Sequence, residues 1–159
     1  MKTLVLGLGN PLLGDDGVGW RVVERVREQI AQPHIETDLH AGGGLSLMER
    51  LIGYERAIIV DAINTGRAAP GSVTCFRLED LPHDAAGHLA SAHETTLQTA
   101  LAVGRKMGAA LPHRIEIVAI EAQAVYDFSE TLSPAIAAAV PPAVEIVLNQ
   151  LNQTEGAET

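Results

Sequence analysis

Three residues far apart in the chain have the chemistry to hold one metal ion together: Asp16, Asp61 and His93. Two carboxylates and an imidazole form a hard-to-borderline oxygen and nitrogen donor set. Such a set suits a divalent first-row ion such as nickel or zinc, and a carboxylate in it can also serve as a general base. Each member has an ordinary explanation when taken alone. Asp15 or Asp16 can simply cap the helix that follows them. A histidine in the first turn of a helix is usually a surface residue. Asp61 is harder to explain away, because it interrupts the apolar run RAIIVDAI. A carboxylate there is costly unless it is hydrogen-bonded, paired or metal-bound. A helix N-terminus around His93 disfavours the charged ring and leaves a nitrogen free to bind metal.

A second group could line the same rim. Gly42-Gly43-Gly44 can bring main chain close to a ligand or peptide, since glycine carries no Cβ. A flexible turn before a helix explains the run equally well. Asp38 and His40 flank it, either as substrate-binding residues or as an exposed strand end. His83 and His88 could reach a metal, but solvated loop histidines are the plainer reading. Cys75 has no flanking base and sits within a strand pattern, so a small buried side chain fits better than a catalytic thiol. No Gly-x-Ser-x-Gly elbow is present. GLGNPLLGDDG lacks the third glycine of the dinucleotide fingerprint.

The elements that must position these residues follow from periodicity. Thr3 to Leu8 is a short apolar run, read as a first strand, and GNPLLGDDG is a loop. From Gly17 to Ile30 the pattern is helical, with Val18, Val22, Val26 and Ile30 on one face. Ile35 to Leu39 reads as a second strand, Leu45 to Ile52 as a short helix and Arg56 to Ile63 as a buried strand. Ser72 to Leu78 follows after a turn, which predicts an antiparallel hairpin. Ser91 and Glu94 match a capping box, opening a helix that runs to about Lys106 with Gly108 as its stop. Arg114 to Glu121 is a further strand. Ser133-Pro134 starts a last helix, which Pro141-Pro142 should kink or restart. Ile136, Val140, Val144, Val147, Leu148 and Leu151 face the core. Residues 1–151 thus form one α/β domain, and 152–159 read as a polar tail. In open α/β sheets, sites form beyond the carboxyl ends of the strands. That rule sends Asp16, Asp61 and His93 to one edge.

Composition narrows the partners. The 159 residues suffice for one compact core, and the formal net charge of −9 argues against a nucleic-acid surface. The single cysteine excludes an internal disulfide and fits a reducing compartment. The apolar run at the N-terminus is too short for a signal peptide, and no later run approaches membrane-spanning length. The expectation is a cytoplasmic monomer that engages neither nucleic acid nor membrane.

Four stretches together resemble the hydrogenase maturation protease family: LVLGLGNPLLGDDGVG, IIVDAI, SAHETTLQTAL and LSPAIAAAVPPAVEIVL. They cover nearly the whole chain in the family's order and spacing. The resemblance implies a twisted, mostly parallel sheet between helices, with one antiparallel hairpin strand. It implies that Asp16, Asp61 and His93 bind nickel, an ion carried by the substrate rather than a permanent cofactor. It further implies an aspartyl-type endopeptidase. The substrate would be the precursor of a nickel–iron hydrogenase large subunit, which loses its C-terminal extension after nickel is inserted. One departure stands out. Family members often carry an Asp-Gly-Gly-Thr-like turn after the second strand, where this chain has Leu39-His40-Ala41-Gly42-Gly43-Gly44-Leu45. Asp38 is then a displaced substitute for the acid.

Three other readings compete. Peptidyl-tRNA hydrolases also open with a GLGNP-like run, but their Tyr and Thr-Arg-His-Asn signature is missing here. A non-catalytic nickel chaperone could use the same three residues. A Rossmann-like nucleotide module would need the glycine fingerprint this loop lacks.

Overall fold

The computed structural model describes residues 1–85, 87–90, 95–123 and 127–157. Five strands form one sheet: β1 (Thr3–Leu8), β2 (Ile35–His40), β3 (Arg56–Ile63), β4 (Val73–Arg77) and β5 (Arg114–Glu121). Their order is β2-β1-β3-β5-β4. All neighbours are parallel except β4 and β5, which pair antiparallel with Val73 opposite Ile120. Four α-helices cover the sheet: α1 (Val18–Gln29), α2 (Gly44–Leu51), α3 (Leu97–Lys106) and α4 (Pro134–Ala157).

Strand alternation sorts the core into two layers. Val5, Ile58, Val60, Val118 and Ile120 point to the face covered by α1 and α4. Leu4, Leu6, Ala57, Ile59, Ile117 and Ala119 point to the face covered by α2 and α3. Strands buried on both faces read as continuous apolar runs rather than alternating ones, which is the pattern of β1 and β3. Burying each Val, Leu or Ile side chain contributes roughly 1.5–3 kcal/mol. Val18, Val22 and Val26 are fully buried, as their four-residue spacing requires, and Ile136, Val140, Val144, Val147 and Leu151 form the inner stripe of α4.

Several expectations need correction. The strand after β3 does not fold back on it as a hairpin. β3 already has β1 and β5 as neighbours, so the connection carries β4 past β5 to the sheet edge. The third helix starts at Leu97, later than the capping box predicts. Thr96 is its N-cap, and the Thr99 N–H donates to Thr96 Oγ1 at 3.2 Å. Residues 91–94, with Ser91, His93 and Glu94, lie outside the described residues.

Pro141 and Pro142 sit inside α4 without splitting it. Proline deprives the carbonyls of Ala137 and Ala138 of helical partners, but both alanines are exposed, where water can serve instead. The helix also runs on to Ala157, through residues expected to form a tail. Its Pro134–Gln153 portion is long and apolar enough to cross a membrane by length and composition, contrary to the sequence reading. In this fold its apolar stripe packs on α1 and the sheet.

Candidate active site

The topology creates a crevice beside β1. The chain leaves β1 through α1 on one face to reach β2, then returns through α2 on the other face to reach β3. Topological switch points of this kind place ligands outside the carboxyl ends of the strands. Leu8 of β1 pairs with His40 of β2, and Val60 of β3 pairs with Gly7. His40, the loop after Leu8 and Asp61 therefore share one edge.

The loop after β1 is folded tightly around its acids. Gly9 has φ +140°, and a Cβ there would lie 2.0 Å from the Asp16 carbonyl oxygen. Only glycine permits that closure. It brings the Asn10 N–H to Asp16, donating to Oδ2 at 2.8 Å. Asp15 points elsewhere: it accepts from Ser133 N–H at 2.7 Å and from the Ser133 hydroxyl at 2.8 Å, tying the loop to the start of α4. Neither acid caps α1, whose N-cap is Gly17 with no side-chain hydrogen bond.

Asp61 is 2% exposed, and its Oδ1 makes no hydrogen bond. Burial pushes its carboxyl up to about 8. The nearby His88 charge opposes that shift, the Asp16 charge adds to it, and main-chain N–H groups of Ala62 and His88 partly offset it. The carboxylate lines a cavity of about 10 Å³ with Ile63, Leu81 and Ala85 among its walls, at most the size of one water.

His88, expected as a solvated loop histidine, instead stands against Asp16. It opens a short 3-10 turn, His88–Ala90. Its Nε2 lies 3.0 Å from Asp16 Oδ1 and 2.9 Å from Oδ2. Its side chain keeps only 25% of its surface exposed, so it is not a solvated loop histidine. Nothing local in GHLASAH distinguishes it; the path of the chain over the sheet edge does.

The candidate rim residues divide. Asp38 forms an ion pair with Arg50 of α2 and accepts from Leu39 N–H at 2.8 Å. The acid is thus engaged by α2. The His40 carbonyl accepts from Gly9 N–H and from Trp20 Nε1, each at 3.1 Å, while its ring contacts Ser46 Oγ at 3.1 Å. Burial, and then the His88 charge, hold the His40 imidazole below its usual pKa. Gly43 is the N-cap of α2. Gly44 has φ +54°, and a Cβ there would sit 2.7 Å from the Thr95 carbonyl oxygen, so glycine is needed at that close approach. Gly42 leaves room for the Ser46 and His40 side chains. Cys75 lies in β4, and burial raises its thiol pKa, the opposite of an activated nucleophile.

Asp16 and Asp61 thus meet at one corner, with His88 joining them. Among the described residues, no three His, Cys, Asp or Glu side chains form a ready metal cage. The donor chemistry nevertheless suits a cation: a buried carboxylate oxygen without a partner, beside a second carboxylate and an imidazole.

Known structures share this architecture. The hydrogenase maturating endopeptidase HybD from E. coli superposes with TM-score 0.79 at 28% identity, covering 97% of this chain and 94% of that one. HybD from Thermococcus kodakarensis, a [NiFe] hydrogenase maturation protease, gives TM-score 0.71 at 27% identity over 94% of this chain and 99% of that one. The fold is therefore that of a small α/β peptidase. Sequence makes the assignment specific. The family model for hydrogenase maturation protease matches residues 20–150. HupD of Rhodobacter capsulatus is 32% identical over 151 residues, 94% of this chain and 71% of that protein. The hydrogenase 2 maturation protease of Escherichia coli is 30% identical over 155 residues, 97% and 93% of the two chains. This chain belongs to the hydrogenase maturation protease family and is a peptidase of hydrogenase maturation.

Proposed function

We propose that this peptidase removes the C-terminal extension of a nickel–iron hydrogenase large-subunit precursor once nickel is in place, reading the bound ion with Asp16, Asp61 and His93. The observation that carries the reading is the Asp61 carboxyl, buried near the end of β3 with one oxygen unpartnered and close enough to Asp16 and His88 to feel their charges. A fold keeps so costly a group when something else is to be bound there. Nickel arrives with the substrate and supplies an electrophilic anchor that orients the nearby peptide. Fixing the scissile bond against a carboxylate is where proximity gains most.

The chain's own residues do the rest. Asn10 N–H and His88 hold Asp16 at the rim. Asp16 takes the proton of the attacking water as an aspartyl-type general base, while Asp61, protonated up to about pH 8 in the empty site, gives up its proton when it ligates the arriving ion. His40 and the Gly42–Gly44 turn border the path of the extension, with Asp38 positioning α2 through Arg50 rather than touching substrate. The reading places the reaction in the cytoplasm, on a monomer.

The test uses nickel-loaded large-subunit precursor incubated with wild type, Asp61→Asn or His93→Ala, followed by intact mass. Wild type should release one C-terminal fragment, and each variant should leave the precursor uncut. Full cleavage by both variants would end the site assignment. Nickel binding by wild type with no change in precursor mass would favour a metal chaperone instead.

A further inference from the structure

We propose that His88 is itself a nickel ligand, contributing an imidazole nitrogen alongside Asp16 when the substrate's ion enters the site. This deepens the nickel reading above and rests on it. The ring sits with Nε2 2.9 and 3.0 Å from the two oxygens of Asp16. Donors bonded side by side to one cation at about 2.1 Å, at right angles, lie about 3.0 Å apart. The spacing held by a shared proton is therefore also the spacing of two neighbouring ligands. An ion can take the proton's place once the ring turns to aim its nitrogen lone pair at the ion, releasing that proton to solvent.

Three further observations converge. The main-chain N–H of His88 faces the Asp61 carboxylate, so one residue touches both acids, by its ring and by its backbone. Asp61 Oδ1 lacks a hydrogen bond in this arrangement and has capacity to spare for a cation. The ring is three-quarters covered, yet it lies at the rim, where a substrate-borne ion arrives. Asp16 and His88 form one edge of a coordination shell. Among the described residues no closed cage forms, and His93, the further nitrogen donor of the proposed set, lies outside them.

The experiment needs no precursor. Nickel chloride is titrated into the chelator-treated full chain by calorimetry, for wild type, His88→Ala and His88→Gln. Each variant's fold is checked by thermal unfolding. Cobalt(II)-loaded samples of the same proteins are then recorded by proton NMR, where each ligating imidazole gives a strongly shifted exchangeable N–H signal. Wild type should bind nickel, and both variants should bind at least about tenfold more weakly. The cobalt spectrum of each variant should lose one imidazole signal. Equal affinity with an unchanged signal count would overturn the proposal while leaving the nickel reading intact. Weaker binding with every imidazole signal retained would also overturn it, making His88 a positioning residue for Asp16. Tighter binding in the variants would mean that His88 blocks the ion. No nickel binding by folded wild type would instead remove the nickel reading, and this inference with it.

Discussion

Replacing Asp61 with Asn should flatten the pH dependence of stability in the metal-free protein. In the folded chain, burial keeps the Asp61 proton on to about pH 8, against an ordinary value of 3.8. Between those limits the folded state binds one proton more than the unfolded state. Stability from this group is therefore fully present below pH 3.8 and is lost as pH rises to 8. The slope is about 1.4 kcal/mol per pH unit. From pH 5 to pH 7 the loss is about 3 kcal/mol, or roughly 5–10 °C in Tm for a domain of this size. Asparagine cannot ionise, so the variant lacks this contribution. Groups distant from the site are common to both proteins and cancel in the difference; Asp16 and His88, whose charges act on Asp61, are the exception. Calorimetric melts of chelator-treated wild type and Asp61→Asn at pH 5, 6, 7 and 8 read it directly. Wild type should lose ground to the variant at each step. Parallel profiles, or a wild type that gains on the variant as pH rises, would refute the buried, unpartnered carboxylate.

Other outcomes follow from the packing. Gly9→Ala should sharply weaken nickel affinity and cleavage, since a methyl 2.0 Å from the Asp16 carbonyl must displace that loop; calorimetric titration and precursor mass check it. Gly19→Ala places a Cβ 2.3 Å from the Val60 carbonyl oxygen, pushing α1 off the sheet, and should cost about 1–3 kcal/mol in urea unfolding. At the opposite end of the sheet, Arg56 and Glu116 form a buried bidentate pair at 2.9 and 3.0 Å. Arg56→Ala should cost about 1–3 kcal/mol, since Glu116 loses two hydrogen bonds but keeps its ion pair with Arg114 at 2.5 Å. Thr96→Ala should lose roughly 1 kcal/mol through the α3 cap.

Much of this was legible in the chain. The strand at Arg56–Ile63 and its out-of-place Asp61 followed from apolar run length and one costly charge. The valine spacing from Val18 to Val26 gave α1 its buried face. What escaped depended on the path of the chain. Ser91 and Glu94 have cap chemistry, but Thr96, whose hydroxyl accepts the Thr99 N–H, holds the boundary of the helix body. A short turn after Ile63 suggested a hairpin, yet strand order is set by which faces remain to be covered. His88 looked like a loop histidine because its partner, Asp16, is distant in sequence. Asp15 and Asp16 looked interchangeable until Gly9 folded the loop and sent one to Ser133 and the other to the site.

Nickel-dependent cleavage itself is the most direct measurement. Large-subunit precursor is prepared with and without nickel, incubated with the wild-type chain, and followed by intact mass over time. The two carboxylates at the end of β1 and β3 should license cutting of the loaded precursor and leave the empty one whole. Equal cleavage of both forms would contradict a site that reads the ion.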